Sequence, residues 1–358
     1  MPVNRETAII DIKGKRRKIA RNRFILIIAL AFAILLAMIL SLLAQAHGMH
    51  LGDMFLGIFG LGSGQANIIV GNIRLRRVLA ALIAGAGLTA SGAIMQSSLR
   101  NEMASPSTLG VSEAATFGAN LSILFLSTGS FTQAGLSISN PYAVSSFAFI
   151  FALVSTLLVL MLSKIRRFAP EIVALSGIAL GMLFQALTNL IQYFSSDNAL
   201  ASSVYWTFGD LTRASFGQIA IMGVVVLVSL VTFFFLAPGL NAIEEGDEVA
   251  KSLGVNVELT RFSGLILASL ITAVCVSFVG IIGFIGLVIP QMMKQLLGSD
   301  NRFLIPISAL VGSLSLILCD LLSRLLMEGT NLPVGAITSI IGAPIFIYIL
   351  LSQRRVRR

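Results

Sequence analysis

Residues 24–46 read FILIIALAFAILLAMILSLLAQA, an apolar stretch of 23 residues without a charged side chain. As a helix rising about 1.5 Å per residue, this stretch would be roughly 34 Å long, enough to cross the hydrocarbon layer of a membrane. Its end, Ala44-Gln45-Ala46, has the small residues of a signal-peptidase site, but the apolar core of a signal peptide is only about 7–15 residues long. We therefore expect a retained first membrane helix.

The composition of the whole chain extends this conclusion beyond the first helix. Of 358 residues, 56% are hydrophobic and 11% are charged, and the mean hydropathy is +0.93. A soluble domain of this length would have too little polar surface to face water, and a membrane β-barrel would alternate polar and apolar residues. Continuous apolar runs instead predict an all-α polytopic membrane helix bundle, because lipid requires every backbone amide to bond internally.

Ten apolar runs predict about ten membrane-spanning helices. They lie at 24–46, 76–98, 109–127, 143–163, 172–194, 216–236, 262–282, 284–297, 303–327 and 333–352. An even number of spans places both termini on the same side of the membrane. Eight basic residues precede the first run and four arginines close the chain, a bias that is typical of the cytoplasmic side.

The charge pattern therefore predicts a multi-pass protein of the cytoplasmic (inner) membrane. One membrane domain at 24–352 lies between basic cytoplasmic tails at 1–23 and 353–358. The net charge of +9 does not indicate a nucleic-acid partner, because the chain lacks a basic face with interleaved aromatic residues. Membrane lipid is the expected contact of these tails.

Small residues interrupt two of the runs. Gly280, Gly283, Gly286 and Pro290 lie in and before the short eighth run, and Gly85, Gly87, Ser91 and Gly92 lie in the second. In membrane proteins such segments pack closely against neighbouring helices or line cavities. We expect the second run to pack tightly, and the eighth either to line a cavity or to allow a close helix approach.

One basic segment departs from the tendency of basic residues to lie on the cytoplasmic side. Arg74, Arg76 and Arg77 precede the second run, on the side that the topology places outside the cell. Arginines on the outer side do not contribute to this orientation, which indicates that they have a different role. They either anchor phosphate headgroups of lipid or take part in recognition.

The longest hydrophilic stretch inside the chain is 241–261, which the topology places in the cytoplasm. Asp247 is positioned to cap a short helix from Glu248 to Leu253, and Gly254 to end it. Val249, Ala250 and Leu253 would then share one face. The stretch is either a solvated connector or a helix that docks into a groove on a cytoplasmic partner.

Three amides follow one stripe of the fifth run, since Gln185, Asn189 and Gln192 are spaced i, i+4 and i+7. Amides facing lipid are costly. They therefore bond to another helix or form an uncharged polar wall along a transport path. At the start of the same run, Pro170 and Glu171 suit the first turn of a helix.

The chain shows no chemistry of its own. It has no phosphate-binding loop, no activated nucleophile and no pair of catalytic acids, so we expect neither an enzyme nor a cofactor on this chain. Cys275 and Cys319 lie within apolar runs as packing residues. His47 and His50, three residues apart in an external loop, do not form a closed metal shell, and no metal site is expected.

Several motifs occur in the order and spacing of one family. They are Arg74-Leu75-Arg76-Arg77 with Ala84-Gly85-Ala86-Gly87, Ala104-Ser105-Pro106 with Leu109-Gly110-Val111-Ser112, Glu248-Val249-Ala250 with Leu253-Gly254-Val255, Gly283 to Pro290, Leu332-Pro333-Val334-Gly335, and Gly342-Ala343-Pro344. The chain after residue 70 thereby resembles the FecCD-type permeases, which import iron-siderophores, haem and vitamin B12. Three positions depart from the family pattern: Arg76 and Glu102 replace prolines, and Gln291 replaces a histidine.

The resemblance implies a type II ABC importer permease, a homodimer of ten-helix subunits with two ATPase subunits below and one substrate-binding protein outside. It implies that Arg74, Arg77 and Arg324 receive acidic residues of the binding protein, with Arg76 adding charge. It also implies that the coupling segment contacts the ATPase, through Glu248, Val249, Lys251, Leu253 and Gly254. Pro170 and Glu171 would lie near the inner gate.

A rival interpretation is an ion-coupled secondary transporter, which needs a carboxylate within the membrane. Asp320 is the expected carboxylate, and Arg324 lies four residues later on the same helix face. Nothing in the sequence identifies the chelate or metal, because amides and small residues do not distinguish one cargo from another.

Overall fold

The computed structural model describes residues 5–44, 50–126, 129–132, 135–138, 140–326 and 332–356. These residues form fourteen α-helices in the order α1 (Arg5–Leu43), α2 (Leu51–Ile58), α3 (Gly64–Ala66), α4 (Leu75–Leu99), α5 (Val111–Phe125), α6 (Pro141–Lys164), α7 (Pro170–Tyr193), α8 (Asp197–Thr207), α9 (Phe216–Glu245), α10 (Asp247–Ser252), α11 (Val257–Val279), α12 (Ile285–Leu297), α13 (Asn301–Leu325) and α14 (Val334–Val356). A π-helix (Asn67–Arg74) leads into α4, and a 3₁₀ helix (Pro106–Leu109) precedes α5.

Each of the ten predicted apolar runs corresponds to one helix. Eight of these helices, in the described part of the chain, are long and apolar enough to cross a membrane. The other two, α5 and α12, have 15 and 13 residues, fewer than the roughly 17–25 of a full crossing. The prediction of an all-α membrane bundle is confirmed, with two of the ten helices short.

Short elements lie between the spans, where the apolar runs predict none. Besides α2, α8 and the π-helix, a hairpin of two antiparallel strands, β1 (Gly129–Thr132) and β2 (Gly135–Ile138), connects α5 to α6. These segments lie outside the apolar runs, so hydropathy alone carries no signal for them. The hairpin leaves the helical class of the membrane domain unchanged.

Helix α4 lies at the centre of the bundle, where it packs against α13, α11, α9 and α12. Glycines allow this approach. A β-carbon on Gly92 would overlap the carbonyl oxygen of Gly286 in α12, and one on Gly85 would overlap that of Gly312 in α13. Lipid supplies no hydrophobic force between helices, so close backbone packing of this kind is what holds them together. The expected tight packing of the second run is therefore observed.

The chain approaches α12 in an extended segment rather than a helix. Gly280 has φ +77° and Phe284 has φ +65°, and α12 begins directly afterwards at Ile285. Gly283 and Gly286 line a cavity of about 230 Å³ beside α4 and α11. The glycine-broken segment thus borders a cavity and also allows a close approach, since Gly286 lies against the backbone of α4.

Replacing Gly92 with alanine is expected to lower the thermal unfolding temperature of the detergent-solubilised protein, because overpacking a tight contact costs about 1–3 kcal/mol. Gly217, near the exposed start of α9, is the matched control, since a β-carbon there meets nothing within 4 Å. Gly217→Ala should leave the unfolding temperature unchanged or raise it, as alanine is the better helix former. Equal unfolding temperatures for the two variants would show that α4 and α12 separate without cost.

Candidate functional site

Two arginines and one carboxylate form a buried cluster between α4 and α13. Arg77 Nε lies 2.5 Å from Asp320 Oδ1, and Arg324 Nη2 lies 3.2 Å from Asp320 Oδ2. The side chains are 6% exposed or less. The pairing of Asp320 with Arg324 is therefore observed, and the structure adds Arg77 from the neighbouring helix.

The arginines also hold the end of α1. Arg74 donates to the carbonyl oxygen of Leu42 at 2.7 Å, and Arg324 donates to that of Ser41 at 3.1 Å and to the Ser41 hydroxyl. The last carbonyls of a helix lack partners within it and carry the negative end of the helix dipole. The three arginines thereby connect α1, α4 and α13 at one end of the bundle.

The docking role predicted for Arg74, Arg77 and Arg324 stays a prediction. All three side chains are buried in this structure, so direct contact with a binding protein would require them to leave their present partners. Arg76 is more accessible, with its guanidinium over the ring of Phe216 at 6.0 Å. Within this group, Arg76 is the arginine that reaches the surface.

Helix α10 forms within the hydrophilic stretch 241–261, as predicted, with two differences in detail. Gly246 rather than Asp247 occupies the N-cap position, and Ala250 is fully buried against Ala242 and Ile243. The predicted common face of Val249, Ala250 and Leu253 is therefore wrong for Ala250. The helix ends as expected before Gly254, whose φ is +81°.

The outer surface of α10 combines apolar and charged side chains. Val249 is 46% exposed and Leu253 is 68% exposed, and Glu248, Lys251 and Gly254 are exposed beside them. Two exposed apolar side chains on one short helix are compatible with docking into a groove on a partner. The coupling role of α10 stays a prediction.

A buried arginine, which sequence reasoning missed, fixes α10 to the bundle. Arg261 is 1% exposed and bonds to the Asp247 carboxylate at 2.9 Å, to the Ser98 carbonyl at 2.7 Å and to the Phe168 carbonyl at 3.2 Å. Ser98 lies in the last turn of α4, and Phe168 precedes α7. The available signal was a single arginine just before an apolar run, fourteen residues after Asp247.

The three amides of α7 do not all have the same role: one forms an interhelical hydrogen bond, and two remain exposed. Gln192 donates to the Ser203 hydroxyl of α8 at 2.7 Å, which is an interhelical hydrogen bond. Gln185 and Asn189 bond to each other at 2.9 Å and remain exposed. Gln185 also lines an open cavity of about 390 Å³ beside α5 and the 3₁₀ helix. The two exposed amides fit a polar wall.

The expectation that Asp320 is the one relevant carboxylate within the membrane is incomplete. Glu113 lies in the first turn of α5, and its Oε2 atom is buried without a hydrogen-bond partner. The residue was visible inside the run 109–127, directly after Ser112. It borders both cavities described above.

Pro170 and Glu171 form the first turn of α7, so the simple helix start is observed, while the gate role stays a prediction. Among the residues that the structure describes, no group of three or more His, Cys, Asp or Glu side chains could hold a metal. His47 lies outside these residues, and His50 directly precedes α2.

Comparison with known proteins finds a transport family, related permeases and a related transporter structure. A model of the FecCD transport family matches residues 33–352. A protein of Methanocaldococcus jannaschii assigned as an ABC transporter permease is 43% identical over 96% of this chain and 99% of its own length. The vitamin B12 import system permease BtuC of Vibrio cholerae is 34% identical over 84% of this chain and 88% of its own. A structure described as an inward-facing, metal-chelate type ABC transporter matches with a TM-score of 0.77 and 27% identity, covering 92% of this chain and 99% of that chain.

Replacing Asp320 with asparagine is expected to lower the unfolding temperature strongly. The change removes the carboxylate that both Arg77 and Arg324 contact, and breaking a buried ion pair in this way costs about 3–5 kcal/mol. Asp197→Asn, at an exposed position in α8, is the matched control. Thermal unfolding of the two purified variants would measure the difference, and similar values would argue that Asp320 does not hold the cluster together.

Proposed function

The chain belongs to the FecCD transport family, and on that premise we propose that it forms the membrane pathway of a dimeric importer for metal chelates: a ferric siderophore, haem or a corrinoid. As an ABC transporter permease it uses ATP hydrolysis by a partner subunit. Two copies form the pathway, two ATPase subunits bind the cytoplasmic face, and one binding protein delivers cargo outside. Both termini lie in the cytoplasm, in accord with the basic residues at each end.

The cargo class rests on named relatives. Besides the vitamin B12 permease, these include the hemin transport system permease HmuU of Yersinia pestis, 34% identical over 80% of this chain and 84% of its own. Both names denote importers of large metal-containing macrocycles. An uncharged wall of amides such as Gln185 and Asn189 suits cargo of this size, because it lets a chelate pass without holding it tightly.

The observation that carries the proposal is the attachment of α10 to the bundle. Its outer surface exposes Val249 and Leu253, while Asp247 binds Arg261 on the inner side. Through Arg261 the helix is bonded to the end of α4 and to the segment that enters α7. A movement imposed on α10 by an ATPase is therefore passed to the helix that carries the amide wall.

The rival function, ion-coupled transport, has less support because the matched relatives are named as permeases of ABC or import systems. Of the two carboxylates described above within the membrane, Glu113 has no hydrogen-bond partner among the described residues for its Oε2 atom and stays open to a cation, whereas Asp320 does not. Asp320, the carboxylate expected to bind the coupling ion, is already paired with Arg77 and Arg324. A cation would have to compete with two fixed guanidinium groups. Uptake that stops with an uncoupler but continues with vanadate would favour the rival.

A Leu253→Asp variant is expected to lose its ATPase partner, because a charge placed in an apolar contact is left without a counter-charge. Leu61→Asp is the matched control, since Leu61 is 73% exposed in an external loop. Purification of each tagged protein in mild detergent, followed by mass spectrometry, would identify the copurifying subunits. An ATPase retained at equal stoichiometry by Leu253→Asp would reject the coupling assignment.

Arg76→Glu is expected to slow association of the external binding protein by about tenfold or more at low salt, because charges at the rim of an interface steer the encounter. Arg302→Glu, exposed at the opposite end of the bundle, should leave the rate unchanged. Biolayer interferometry with the copurified binding protein would measure both rates. Equal rates for the two variants would place the docking surface elsewhere.

A further inference from the structure

Two cavities meet at one carboxylate. The larger, of about 390 Å³, is bordered by Ser107, Thr108, Glu113, Gly181, Met182 and Gln185. The smaller, of about 230 Å³, is bordered by Ser107 and Glu113 again and extends to α11 and the approach to α12. Ser107 and Glu113 thus stand between the cavity beside the amide wall and the cavity beside the glycine-broken segment.

This carboxylate lies at the middle of the membrane domain. Gly181 is the twelfth of the 24 residues of α7, so it lies roughly 17 Å from either end of that helix. A β-carbon on Gly181 would be 3.7 Å from Glu113 Cγ. Glu113 therefore lies level with the middle of a membrane-spanning helix, where a charged group is costly and is usually found only at functional sites.

Glycines bring Glu113 to this place. A β-carbon on Gly177 would overlap the carbonyl oxygen of Thr108, and Gly110, at φ +65°, lies against Gly177 and Gly181. Small residues four apart on α7 let the 3₁₀ helix and the start of α5 approach its backbone. The position of Glu113 is consequently set by backbone packing rather than by a flexible loop.

Glu113 lacks the counter-charge that Asp320 has. Its Oε2 atom is buried without a hydrogen-bond partner, and no basic side chain pairs with it in the part of the chain that the structure describes. Its neighbours along the larger cavity, Ser107, Thr108 and Gln185, are polar and uncharged. A carboxylate in this setting attracts a ligand that brings a positive charge or hydrogen-bond donors.

We propose that Glu113 makes the midpoint of the transport pathway a water-accessible, cation-attracting site. At this point of the pathway the site favours cargo that presents cationic or hydrogen-bond-donating groups, such as protonated amines. This inference rests on the proposed function, since it assigns a charge preference to that pathway. Each subunit of the dimer contributes one such carboxylate.

The test uses thiol reagents of opposite charge as probes. Met182, 70% exposed on the border of the larger cavity, is replaced by cysteine in a full-length chain that carries Cys275→Ala and Cys319→Ala. Rates of modification by trimethylammonioethyl and sulfonatoethyl methanethiosulfonate are then measured in membrane vesicles. We expect the ratio of cationic to anionic rates to fall by about tenfold in Glu113→Gln, as expected for one unit charge a few ångströms from the thiol.

Two further variants serve as controls for the effect of Glu113→Gln on the ratio of modification rates. Glu113→Asp retains the charge and should retain most of the ratio, and Glu258→Gln, at an exposed position in α11, should not change it. A thiol that reacts with neither reagent would overturn the proposal, because the cavity would be closed to water. An unchanged ratio in Glu113→Gln would also overturn it, because the carboxyl group would then carry no effective charge.

Failure of this inference is distinguishable from failure of the proposed function. If wild-type protein copurifies with an ATPase but the ratio of modification rates is unchanged in Glu113→Gln, the importer is supported and the cation-attracting site at Glu113 is rejected. If the ratio of cationic to anionic modification rates falls as expected but no ATPase copurifies, the cation-attracting cavity is supported and the importer is rejected.

Discussion

The approach of α4 to α12 and α13, backbone against backbone at Gly92 and Gly85, is the contact on which the rest of the membrane domain depends. Helices in lipid gain little from burying apolar side chains against each other, so they associate through close packing and internal polar contacts. With α4 held in this way, its first residues bring Arg77 to Asp320, and its last turn brings Ser98 to Arg261. One central helix thereby connects both faces of the protein.

The two carboxylates within the membrane illustrate different uses of the same functional group. Asp320 is paired with Arg77 and Arg324 and joins two helices, so removing it would leave buried arginines without this carboxylate. Glu113 lies between two cavities with one oxygen atom unbonded. The first carboxylate has its partners within the protein, whereas one oxygen of the second has none among the described residues.

Much of the architecture was predictable because lipid imposes one dominant constraint. Apolar runs located all ten membrane helices, and the polar stretch 241–261 located α10 with its terminal Gly254. The sequence-based predictions were wrong where a side chain has more than one available hydrogen-bond partner or packing position. Asp247 was expected to cap α10, yet it binds Arg261, and Ala250 was placed on the outer face although it is buried. Docking of Arg74, Arg77 and Arg324 and gating at Pro170 and Glu171 stay predictions.

By itself the sequence determined that this protein is a membrane helix bundle, that it resembles one family of importers, and that it carries no ATP site of its own, since hydropathy, charge bias and motif order are properties of the linear chain. Only the tertiary structure decided that Arg77 pairs with Asp320, 243 positions away, that Arg261 ties α10 to α4 and α7, and that Glu113 stands between two cavities. These contacts depend on which helices pack together, and that choice depends on backbone shape at glycines such as Gly92 and Gly177 rather than on any local pattern.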